Sequence, residues 1–416
     1  MTEAEEQAEQ HRLRRTTRHL VLSLVAVAIF ALAFASLYWW NSHTTPPPPP
    51  GPSPTAPSPS ATLPPNQETL LIQATTPEGA EGNLVTAVPA DTSSATLLPL
   101  SADLMVSAGT LPPEPLRMSV ASLDSQRPAA VVSATTGVRI DASWRMDRKA
   151  LAGLVDSVGG VPVTITRRTR FLDDQGLVAL TLRPGRQRLS GFAASWYAVG
   201  DVPRETTTQS TARFTQVMTR TLRRLPDSDV EIRESLTALG ALAPSTIGAQ
   251  ELATYLLDLS RELRTGATRT VLLPVTEVPL RDETPAWLEY EGATPLVRDA
   301  VPYALWQAGV DGPPRVLVMA PDGDPGTLGY ARDLIASAGL TFVDGRGTAA
   351  VAERRTTVQS RGDRELARQV SAALGVDSPR ITVAPAVPVT GVPWADVDVV
   401  LGRSYVPGAA AGRVLP

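Results

Sequence analysis

Residues 181–201, TLRPGRQRLSGFAASWYAVGD, decide how the rest of the chain is read. Leu182, Pro184-Gly185, Leu189 and Gly191 frame the entry to a helix that carries Ala194, Tyr197 and Ala198. Tyr197 is followed by Ala198, Val199, Gly200 and Asp201, so no cation stands there. Upstream, Leu151, Leu154, Val155 and Val158 recur at helical spacing. Gly159-Gly160 ends that helix, and Val161–Ile165 follows as a strand. Further upstream, Leu70–Gln73, Leu84–Val88, Thr96–Leu100 and Leu104–Val106 read as short strands between Gly, Asp and Ser turns. Downstream, amphipathic helices are expected over 209–224 and 249–264. Strands and helices mix, which indicates an α/β domain.

These segments together resemble the LytR-CpsA-Psr (LCP) family. The opening stretch is similar to its Leu, Pro-Gly, Leu, Gly run leading into Tyr-Ala-Arg-x-Arg. Thr136-Gly137-Val138-Arg139-Ile140-Asp141 resembles its Thr-Gly-Ile-x-Ile-Asp entry. Leu154 to Val163, LVDSVGGVPV, resembles its Leu-Val-Asp-x-Leu-Gly-Gly-Val motif. The resemblance spans roughly residues 68–300. It implies a domain that carries a polyprenyl-pyrophosphate glycopolymer and transfers it to the cell wall, with a carboxylate-held Mg²⁺ and several arginines around the pyrophosphate.

Carried over position by position, the arginine set fails. The family's Pro-Arg-Asp appears as Ser101-Ala102-Asp103, keeping the aspartate and losing the arginine. The upstream metal aspartate falls near Gly82-Asn83. The two arginines after the tyrosine are Val199 and Asp201, and those of the following helix are Thr207 and Ser210. One transition-state arginine is worth about 10³–10⁵ in phosphoryl-transfer rate. Losing several leaves little of the family reaction. The site candidates that remain are Asp103, as catalytic group or metal ligand, and Arg204 and Arg213 as substitute cations. The plainer readings are a turn or cap for Asp103 and helix-surface positions for the two arginines.

Composition narrows the chemistry further. The chain of 416 residues has no cysteine, which excludes disulfides, thiol catalysis and thiolate metal sites. Its three histidines, His11, His19 and His43, all lie in or beside the N-terminal segment. Ser-His-Asp catalysis and His-held zinc are therefore excluded from the folded part. The sole lysine, Lys149, lies in no phosphate-binding loop. A net charge of −4 gives no reason to expect nucleic acid.

Leu20–Trp40 is an uncharged apolar run of about the 20 residues that cross a bilayer as a helix. Arg12, Arg14, Arg15 and Arg18 precede it, which places residues 1–19 in the cytoplasm. Tyr38, Trp39 and Trp40 form an interfacial belt at its far end. A cleaved signal peptide is the alternative, but this run is longer than its apolar region and ends in bulky aromatics rather than a small-x-small exit. Residues 41–67 are a proline-rich linker, whose stretch 44–65 would form a semi-rigid stalk of roughly 60 Å if it holds polyproline II. The expected location is the cell membrane, as a single-pass protein with its bulk extracytoplasmic.

The LCP-like domain is assigned to 68–312 and a second, smaller module to 313–405, with 406–416 as a tail. Val316–Met319, Leu340–Val343, Thr357–Gln359, Ile381–Val383 and Asp396–Leu401 read as strands. Asp324-Pro325 and Asp363 start the two helices between them. This is close to a β-α-β-β-α-β unit and resembles the LytR C-terminal domain. Gly323, Gly326 and Gly329 read as a tight turn rather than a phosphate cradle. Asp396 and Asp398 share one strand face, read as solvated.

The fold class is thus α/β: a single transmembrane helix, an LCP-like mixed α/β domain and a small βαββαβ module. The function expected is a catalytically degenerate, membrane-anchored scaffold or polyprenyl-phosphate or glycan-binding component of cell-wall assembly. The alternative is an active phosphotransferase that attaches glycopolymers to peptidoglycan. No cofactor is expected, and Mg²⁺ enters only under that alternative. The partners are the membrane, a polyprenyl-phosphate lipid or wall glycan, and other envelope proteins, with no nucleic acid.

Overall fold

The computed structural model describes residues 67–405, apart from 90–93, 108–111, 122–123, 174, 267, 279–283, 309, 321–323, 346–353, 377–378 and 384–394. The expected transmembrane run and stalk lie outside the described residues. Among the described residues no helix is long and apolar enough to cross a membrane.

A five-stranded sheet organises the first part, in the order Thr268–Thr270, Ala95–Leu100, Gly79–Pro89, Gln67–Thr76 and Ala142–Asp147. Its three middle strands pair antiparallel and both edge strands join in parallel. Successive side chains of a strand point to opposite faces. Leu70, Ile72, Leu84 and Trp144 therefore face one layer, and Leu71, Val85 and Leu98 the other. Both faces are covered, which is why LLIQA and NLVTAV read as nearly continuous apolar runs. The helices Arg148–Ser157, Gly191–Val199, Thr207–Leu222 and Ala249–Thr265 pack on the first face. Arg127–Thr136 and Tyr290–Ala300 pack on the second.

The motifs behind the family resemblance have structural work here. Asp156, within LVDSVGG, accepts from the Gly191 amide at 2.6 Å and so holds the start of the helix Gly191–Val199. A Cβ on Gly191 would meet the Ala152 carbonyl at 2.0 Å, so only glycine allows this approach. Asp141 accepts from the amide and hydroxyl of Thr69, both at 2.9 Å, tying the Thr-Gly-Val-Arg-Ile-Asp segment to the first strand. A capping box of Thr206 and Gln209 starts the next helix at Thr207, two residues before the position read from apolar spacing.

The second part has all five expected strands. They form a mixed sheet in the order Thr341–Asp344, Arg315–Met319, Val397–Val400, Thr357–Ser360 and Arg380–Val383. Asp324 caps its helix through the Thr327 amide at 2.7 Å, and Gly326 and Gly329 lie within Pro325–Ser337. Residues Leu63–Pro416 belong to one compact unit. Arg315 is the rivet between its parts: it is 2% exposed, stacks 3.6 Å from the Trp306 ring and donates to the carbonyl and hydroxyl of Ser133 at 2.9 and 2.8 Å. Burial lowers its pKa to about 9, so it stays charged at neutral pH.

This docking corrects the reading of Asp396 and Asp398 as a solvated strand face. Asp398 is buried and Asp396 half-buried. Their face looks toward the first part, where Leu317, Val343 and Ala395 pack with Tyr290. Burial raises the Asp396 carboxyl above its ordinary value, while Arg361 and Arg315 oppose the shift.

Candidate functional site

Asp103 lies just past the strand Ala95–Leu100, held by its amide to the Ser101 hydroxyl at 3.1 Å. One carboxylate oxygen pairs with Arg117, on the short 3₁₀ helix Leu116–Ala121. The other accepts from the Thr207 hydroxyl at 3.2 Å, at the start of Thr207–Leu222. Glu81 completes the cluster. Its burial raises its pKa, Arg117 opposes this, and Glu78 and Asp201 reinforce it. Arg117 is thus committed to its ion pair with Asp103, with Glu81 near enough to feel its charge. Arg117 also lines an open cleft of about 470 Å³ with Arg145, Glu78, Asp147, Thr75 and Met118.

The two other candidates go elsewhere. Arg213 is not a helix-surface residue, being 8% exposed. Its Nε donates to Glu205 Oε1 at 2.9 Å, and its guanidinium donates to the carbonyls of Tyr197 and, at 3.1 Å, of Gly200. The rings of Phe171 and Tyr197 flank it at 5.3 and 5.7 Å. Its whole fork is spent on Glu205 and on the end of the helix Gly191–Val199. Arg204 is exposed, lies before the helix in a left-handed turn with φ 63°, and has no acidic partner among the described residues. Among the described residues, Asp103, Arg204 and Arg213 do not line the cleft that Arg117 lines.

Residues 85–263 match the model of the LytR_cpsA_psr family. This part of the chain is a LytR-CpsA-Psr domain. Similar solved structures include protein gbs0355 from Streptococcus agalactiae, 14% identical with a TM-score of 0.50, covering 59% of this chain and 90% of that one. TagV from B. subtilis is 12% identical with a TM-score of 0.49, covering 58% and 99%. A LytR-Csp2A-Psr enzyme from Actinomyces oris is 21% identical with a TM-score of 0.46, covering 57% and 90%. No curated protein matches the chain. At 14% identity the streptococcal structure speaks for the fold alone.

Within this LCP domain, the positions expected for arginines hold other contacts. Ala102 and Val199 are buried, at 3% and 6% exposure. Asp201 accepts through its backbone carbonyl from the Leu172 amide at 3.1 Å. Thr207 holds Asp103, and the Ser210 hydroxyl donates to the Thr207 carbonyl at 2.9 Å. The residues also do not fit the implied Mg²⁺. Both oxygens of Asp103 are engaged, and Gly82 stands near the second carboxylate position. A Cβ there would meet the Phe214 ring at 2.4 Å, so no acidic side chain enters without displacing that ring. Among the described residues no three acidic groups converge on a metal position.

The family frame made Asp103 visible in the sequence. Arg117 and Glu81 were not, because neither belongs to a motif. They reach the site only through the turn that brings Leu116–Ala121 beside Gly79–Pro89. A Cβ on Gly79, with φ 127°, would meet the Arg117 carbonyl at 2.3 Å, so this approach needs glycine.

Proposed function

We propose that this protein is a membrane-anchored, extracytoplasmic component of cell-wall assembly. In it the LCP domain binds a polyprenyl-phosphate lipid or wall glycan and does not transfer it. The ion pair that commits Arg117 to Asp103 carries the reading. Phosphoryl transfer is mostly the neutralisation of developing charge, and needs cations free to supply it. Here the one arginine at the centre already serves acidic neighbours, and Arg213 is locked in a structural clamp. The neighbouring cleft, with Arg145 and Asp147 among hydroxyls and apolar walls, suits a polar, weakly charged ligand such as a sugar.

The test is a titration of the full chain in detergent with a short polyprenyl pyrophosphate, with and without Mg²⁺, following binding and phosphate release in the same samples. Binding without release is the expected result. A second reading rests on Arg117 itself, which lines the cleft beside Arg145. Mg²⁺-dependent release that is lost in Arg117→Ala would establish the transferase and overturn the binding reading. No binding at all would move the function to protein contacts.

A further inference from the structure

Residues 161–189 build one long two-stranded ribbon. Val161–Ile165 pairs antiparallel with Gly185–Leu189, and Thr169–Leu172 continues antiparallel with Val178–Leu182. The turn is tied by Asp173, whose carboxylate accepts from the amides of Gln175 and Leu177 at 3.0 and 2.8 Å. One side packs on the core through Val163, Ile165, Phe171 and Leu182. The other side carries Arg170, Arg186 and Arg188, with Arg167, Arg168 and Arg183 at the joints between the paired segments. All six are exposed, and none forms an ion pair among the described residues. Among the described residues, Arg188 alone of the six has a side-chain hydrogen bond, donating to the Gly159 carbonyl at 3.0 Å.

This concentration of positive charge stands in a chain of net charge −4. The tip is apolar where a turn is ordinarily polar: Leu177 is 60% and Val178 54% exposed. Just past the ribbon's base, Phe192 is 58% exposed and lies edge-on to Trp196, with Arg148 stacked 3.6 Å from the Trp196 ring.

We propose that the ribbon docks this domain on an anionic membrane surface. Its arginines meet lipid phosphates, and Leu177 and Val178 enter the headgroup boundary. Arginine beside exposed apolar side chains is the chemistry of interfacial binding. A dissolved polyanion would use the arginines but has no need of the apolar tip. The proposal rests on the anchored reading above, which tethers the domain to a bilayer.

The chain has no cysteine, so Leu177→Cys places a single fluorophore at the tip. The full chain is then reconstituted in nanodiscs of brominated phosphatidylcholine, with or without phosphatidylglycerol. Quenching of the label in anionic discs only, reversed by salt, is expected. Each arginine near an anionic leaflet is worth about fivefold in partition, so Arg167→Gln with Arg168→Gln should weaken docking about 25-fold. Equal quenching in both discs, or none, overturns the proposal. So does a response of the label to soluble polyglycerol phosphate without one to lipid. Failure to enter discs at all would overturn the anchored reading instead, and the same label would then be read on free vesicles of the two compositions.

Discussion

Replacing Arg213 by glutamine separates a structural clamp from a ligand-binding arginine. The side chains of Arg213 and Glu205 are 9% and 10% exposed, so the pair is effectively buried. Breaking one partner of such a pair leaves the other charge uncompensated and costs about 3–5 kcal/mol. The carbonyls of Tyr197 and Gly200 lose their donors in the same step. For a domain of this size the loss lowers the unfolding midpoint by roughly 10 °C. The assay is denaturant unfolding followed by tryptophan fluorescence, with lipid binding measured on the folded fraction. Arg213→Met combined with Glu205→Leu removes both charges and should recover most of the loss, as apolar replacements of buried pairs often do. A loss below about 1 kcal/mol, together with abolished ligand binding, would refute the clamp and return Arg213 to the ligand.

Three further outcomes follow from the site. Asp103→Asn should change stability by less than about 1 kcal/mol, since its pair with Arg117 is partly exposed. It should tighten pyrophosphate binding by freeing Arg117, whereas a metal ligand at Asp103 would make the same change weaken it. Gly82→Ala should destabilise by about 1–3 kcal/mol through the clash with Phe214, read by the same unfolding assay, and a neutral result would show that the ring yields. Glu81 has a raised pKa in the folded chain, so its burial favours folding fully at pH below the ordinary carboxylate value. That contribution is lost as pH rises through the folded value. Glu81→Gln should therefore stabilise the protein at neutral pH, with the gain disappearing under acid. A gain independent of pH would refute the assignment.

Much of the fold was legible because it rests on local rules. Short β-rich apolar runs between Gly, Asp and Ser turns marked the sheet strands, and helical spacing with Gly159-Gly160 marked the helix Arg148–Ser157 and its end. The helix Asp229–Leu239 escaped notice: only Ile232 and Leu236 are buried on it, too short a stripe to stand out. The losses at Ala102, Val199 and Asp201 were equally plain, since a missing arginine is a fact of composition at a position.

What those losses mean belonged to the tertiary structure. Arg213 read as a surface residue because its helix is amphipathic and its partner Glu205 lies outside the helix, in a turn. Asp396 and Asp398 read as solvated because their alternation marks a shared face without saying what covers it. Docking through Arg315 decided that they are shielded. The sequence determined the strands, helices, caps and glycine turns, because each depends on neighbours a few residues away. Only the folded chain decided which charges neutralise one another, because Arg117, Asp103, Glu81 and Thr207 come from four separate segments whose meeting is set by the packing of the two cores.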